Sequence, residues 1–80
     1  MAKNEYTRKA LPSVPEFKEI KDDAERRLIY MRAFKALCEG RVFSQEKRRR
    51  LLENYAVSAG WDNESVLRMQ SAVQTLIHHN

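Results

Sequence analysis

Apolar residues recur along this chain at helical spacing, and nowhere do they alternate with polar ones as a half-buried strand requires. The pattern predicts three helices, with a fourth short one possible ahead of them. Ser13 followed by Glu16 is a capping-box pair, and Pro15 sits where an early helical turn tolerates a missing N–H. Helix started there either runs on or breaks and restarts at Asp22 or Asp23; in both cases it reaches about Cys38 and ends at Gly40. After a connector, Arg41-Val42-Phe43, Ser44 is a good N-cap for the next helix, with Glu46 in its first turn. That helix runs to Ala59. Gly60 suits a left-handed C-cap, and Trp61 is placed to fold back on the helix end as in a Schellman motif. Asp62 or Asn63 caps a last helix that reaches about His78.

The faces of these helices differ. On the last, Val66, Met69, Val73, Leu76 and Ile77 share one stripe, opposite Arg68, Ser71, Thr75 and His79, while Leu67 points away. On the middle helix Leu51, Leu52, Tyr55 and Ala59 share a face, and Val57 points outward. The first long helix is apolar over an arc of about 220°, from Ile29, Tyr30 and Met31 through Ala33, Phe34, Ala36, Leu37 and Cys38. Such a helix needs neighbours on most sides. The other two helices with Phe17 and Ile20 are one source of cover, and a second copy of the chain is another, since small cores are often completed by oligomerisation.

At 80 residues there is room for a single domain with a thin core. Residues 1–12 are polar and aperiodic and read as a flexible basic tail carrying Lys3, Arg8 and Lys9; residues 13–80 form one all-α domain. Cys38 is the only cysteine, which argues for a reducing compartment, and the N-terminus lacks the apolar run of a secretion signal. The expected location is the cytoplasm. The longest apolar stretch is interrupted by Arg32 and Lys35, so no membrane partner is expected.

The formal charge of +4 suits nucleic acid or an acidic protein, and equally suits solubility alone. Its densest point is Lys47, Arg48, Arg49 and Arg50, in the first turns of the middle helix. Cations oppose the helix dipole there, yet with the exposed backbone N–H groups they would make a phosphate-binding corner, assisted by Arg26 and Arg27. Against this, four successive helical positions point in four directions, and the stem of Arg48 lies in line to cover Leu52 and Tyr55.

Residues 52–71 resemble the helix-turn-helix pattern, with Ala56 at its small position, Gly60 in the turn, and Tyr55, Ala59, Trp61, Val66 and Met69 at its apolar positions. The resemblance implies that Asp62, Asn63, Glu64, Leu67 and Arg68 would face DNA, with Asn63 and Arg68 placed to read bases. Two carboxylates would then face phosphates, and any glycine-ended helix followed by a capped one gives much of the same mask.

Catalytic chemistry finds no footing. There is no glycine-rich phosphate loop, no pair of carboxylates on an apolar face and no base near Cys38, which reads as a small core residue. His78 and His79 are adjacent, point about 100° apart and lack acidic or thiol neighbours, so no metal is expected. No enzyme activity, cofactor or small-molecule substrate is expected. The favoured expectation is a helical protein-interaction or regulatory module, docking a protein partner or itself through Tyr30, Phe34, Leu37, Val57 and Leu67. The alternative is a nucleic-acid-binding regulator using the basic cluster or the segment 52–71.

Overall fold

Local capping decides where each helix begins. In the computed structural model, which describes residues 11–42 and 44–78, Ser13 and Glu16 form the reciprocal capping box: Ser13 Oγ accepts from the Glu16 N–H at 3.3 Å, and the Ser13 N–H donates to Glu16 Oε1 at 2.8 Å. This starts α1 (Val14–Glu19). Ile20 then turns to extended backbone, and Asp22 accepts from the Ala24 N–H at 3.2 Å to start α2 (Asp23–Cys38). The sequence left one helix or two open; it is two, because the Asp22 cap offers the backbone a fresh start with Asp23 and Glu25 in its first turn. Ser44 Oγ accepts from the Lys47 N–H and opens α3 (Gln45–Ala59), and Asp62 Oδ1 accepts from the Ser65 N–H at the head of α4 (Asn63–His78).

The chain leaves both α2 and α3 through a Schellman turn. Gly40 and Gly60 adopt φ of 69° and 74°, and the next residue's N–H returns to the helix: Arg41 to the Ala36 carbonyl at 3.0 Å, Trp61 to the Ala56 carbonyl at 3.2 Å. Among the described residues there is no strand, and the architecture is all-α.

In the core, α2 packs against both α3 and α4, and α1 packs against α3. Phe17, Ile29, Tyr30, Ala33, Phe34, Leu52, Tyr55, Met69 and Val73 are buried together. Aromatic rings run through them: Phe17 stacks on Tyr55 with centroids 4.2 Å apart, Trp61 meets Phe17 and Tyr30 edge-on, and Tyr30 leads to Phe34.

One boundary and the burial of two residues differ from the sequence pattern. Leu11 and Pro12, read as tail, belong to the domain: Leu11 packs on the core, and the Pro12 carbonyl accepts the Tyr55 hydroxyl. A buried phenol needs an acceptor, and this one ties down the chain ahead of α1. Residues 1–10, the rest of that tail, lie outside the described residues, as do Phe43 and His79. Leu76, placed on the α4 stripe, is 67% exposed, because the stripe narrows to Met69 and Val73 with Val66 and Ile77 beside them. Cys38, read as a core residue, is exposed at the last turn of α2, where desolvation and then the Glu39 carboxylate push its thiol above the usual range.

Candidate interaction groove

The middle of α2 supplies a floor. Tyr30, Phe34 and Leu37 lie one turn apart and line the gap between α3 and α4, which splay rather than pack closely on one another. One wall is the α3 row Arg49, Leu52, Glu53, Ala56 and Val57, spaced i, i+3, i+4, i+7, i+8. The facing wall is the α4 row Asn63, Val66 and Gln70, and Trp61 closes the end where the two helices are joined. The resulting groove holds about 600 Å³. Apolar side chains predominate in its lining, with Arg49, Glu53, Asn63, Gln70 and the Tyr30 hydroxyl as its polar groups.

Hydrogen bonds tie the closed end and the floor of the groove. Trp61 donates its indole N–H to Asp23 Oδ1 at 3.0 Å, and the Arg27 guanidinium lies 5.3 Å from its ring centroid. Asp23 also accepts from Arg27 at 2.6 Å and Arg26 at 3.2 Å. The Arg27 hydrogen bond, then that of Trp61, hold the Asp23 carboxyl down at about 2. On the floor, Gln70 donates to the Tyr30 hydroxyl at 3.0 Å, and burial raises the Tyr30 phenol above its ordinary range, with the Glu53 carboxylate adding to the rise.

Of the five residues nominated for a protein interface, four line this groove: Tyr30, Phe34, Leu37 and Val57. Tyr30 and Phe34 are only 2% and 9% exposed, so they form a floor and not a protruding face. The reason is that α3 and α4 together cover most of the apolar arc of α2. Val57, at 79%, and Leu67, at 61%, are fully presented. Leu67 follows Val66 and lies one turn from Asn63, so it extends the apolar surface past the α4 rim. Sequence reasoning missed Leu52, Glu53, Ala56, Trp61, Val66 and Gln70 and named Asn63 only as a DNA contact, since nothing local marks residues that meet only across three helices. The α3 row at helical spacing was the one available signal.

The basic residues do not converge. Arg26 and Arg27 are bound to Asp23 beside Trp61, past the C-terminal end of α3, whereas Lys47, Arg48, Arg49 and Arg50 occupy its N-terminal end. Eleven residues of helix, about 16 Å, separate Arg49 from Gly60. Arg50 pairs with Glu46 at 3.6 Å, and Arg48 is half-buried. Arg41, Lys47 and Arg48 do share a shallow hollow with Val42, Ser44 and Leu51 at the start of α3, and Arg41 there pairs with Glu39.

On the helix-turn-helix segment, Tyr55 and Met69 are buried, while Asp62, Asn63, Glu64, Leu67 and Arg68 are exposed. Arg68, the one cation of that set, is bound by Glu64 at 2.9 Å, and the Ser65 hydrogen bonds hold Asp62 ionised by lowering its carboxyl.

Among the described residues no group of three or more His, Cys, Asp or Glu side chains is arranged to hold a metal ion, and no helix is long and apolar enough to cross a membrane. No family model matches the chain, and no curated protein or solved structure matches it significantly.

Proposed function

We propose that this chain is a helical protein-interaction module of regulatory or assembly type that works by receiving an apolar helix in the groove between α3 and α4. The observation that carries this reading is the groove itself: a mainly apolar cleft of about 600 Å³, floored by α2 and flanked by exposed Val57. Surface of this kind is retained where another protein covers it. A helix laid there would anchor side chains at i, i+3 or i+4, and i+7 against Leu52, Ala56, Val57 and Val66.

The nucleic-acid reading has less support. Its cations are divided between opposite ends of α3, and Arg26 and Arg27 are engaged by Asp23 in partly buried pairs. A helix presenting Asp62 and Glu64 to phosphates would oppose the electrostatic term that dominates such binding.

Selection from displayed helical peptides tests the reading, using the full chain as bait and Val57→Asp as the counter-bait. Trp61, the single tryptophan, lines the groove and reports occupancy by its emission. Enriched peptides are expected to be amphipathic, to shift that emission, and to lose at least tenfold in affinity on Val57→Asp. Failure to enrich any peptide for the parent chain over the variant would count against the groove as a docking surface.

A further inference from the structure

Two charges in the groove are left without ion-pair partners among the described residues: Arg49 and Glu53, four residues apart on α3. The same chain exposes the complementary pattern. On α4, Glu64 and Arg68 are also four residues apart, in the opposite order of sign, with 61%-exposed Leu67 between them.

We infer that the groove is occupied by a second copy of this chain, with Leu67 of one copy inserted beside Leu52 of the other. This rests on the reading of the groove as a helix-docking surface and names its occupant. When α4 of one copy lies alongside α3 of the other in the same direction, Glu64 meets Arg49 and Arg68 meets Glu53. The equal spacing, about 6 Å of helix rise in each case, lets both pairs form at once. Glu64 and Arg68 have side chains 73% and 76% exposed, so their mutual pair is worth little and is readily extended into a four-membered network.

Leu67 and the groove lie on the same side of α4, because Leu67 adjoins the row Asn63, Val66 and Gln70. A surface that carries both the knob and the hole is what an isologous two-fold contact requires. One axis therefore repeats the contact twice, inserting two leucines and forming four interchain ion pairs. The order of charges also sets direction, since the antiparallel alignment would place Arg against Arg and Glu against Glu.

Sedimentation equilibrium of the full chain, from micromolar to millimolar concentration, tests this with charge reversal. The parent chain is expected to reach dimer mass. Arg49→Glu and Glu64→Arg should each weaken the dimer by about tenfold or more, and the two together should recover most of that loss. Glu53→Arg with Arg68→Glu forms an independent pair with the same expected pattern. Leu67→Glu should abolish dimers, with an unchanged helical circular dichroism spectrum showing that the fold persists. A parent chain that stays monomeric overturns the inference, as do double reversals that bind no better than the single ones. The peptide selection separates the outcomes: monomeric chain with groove-directed peptides overturns self-docking alone, whereas monomeric chain without them overturns both readings.

Discussion

Tyr55 links the beginning of the domain to its centre. Its ring is fully buried against Phe17, and its hydroxyl donates to the Pro12 carbonyl. Burial pushes its phenol up to about 12 from 10.0, because the ionised ring would be both desolvated and unable to donate. A raised folded-state value means the contribution is complete below pH 10 and is lost as pH rises toward 12; Tyr30 acts in the same direction. Asp23 has the reverse sign. Its carboxyl is lowered from 3.8 to about 2, so its contribution is complete above pH 4 and disappears as the pH falls through 2. Urea unfolding across the pH range is therefore expected to show stability falling at both extremes. Tyr55→Phe should lower stability by about 1–2 kcal/mol at neutral pH, from the stranded carbonyl, and flatten the alkaline limb. Asp23→Asn should flatten the acid limb. The Pro12 partner of Tyr55 and the Trp61 partner of Asp23 lie 43 and 38 positions away in the chain, and no sequence pattern announces such pairs, unlike the local pairs of Asp23 with Arg26 and Arg27.

Helix boundaries were legible because they are written in a few adjacent residues. Ser13 with Glu16, Ser44, Gly60 and Asp62 each cap as their local chemistry dictates, and each cap needs only neighbours within three or four positions. Gly60 illustrates the strength of that signal. A Cβ there would meet nothing within 4 Å, so the residue is required for its φ of 74° and not for space. Gly60→Ala should consequently destabilise by about 1–2 kcal/mol, the strain of a left-handed alanine, with no change in packing. Thermal denaturation with near-ultraviolet dichroism checks this: the melting temperature should fall by several degrees while the aromatic signal is kept. Placement of the helices against one another was less legible. The wide apolar arc of α2 showed that it needed several neighbours, and it did not show that α3 and α4 would stand apart over it. Leu76 and Cys38 were misplaced for the same reason. Periodicity gives the direction of a side chain from its own helix axis, and burial depends on whether another helix extends that far.

At the level of the whole molecule, charge and shape point to different surfaces. The formal charge of +4 drew attention to the start of α3, where Lys47 and Arg49 are exposed but Arg48 is half-buried and Arg50 is paired. The groove drew none from composition, because its floor, walls and closed end come from four separate stretches of chain. Once assembled, it joins an apolar cleft, an exposed leucine beside it and two sets of charges with matching spacing. The sequence had nominated Tyr30, Phe34, Leu37, Val57 and Leu67 from the apolarity of their faces, and geometry converts that group into a floor, a wall and a knob. The most direct measurement of the central claim is amide chemical-shift mapping of the full chain as its concentration is raised. Concentration-dependent shifts are expected at Arg49, Glu53 and Val57 on α3 and around Glu64, Leu67 and Arg68 on α4. Shifts that stay constant over that range, while added duplex DNA moves Lys47, Arg48, Arg49 and Arg50, would contradict it.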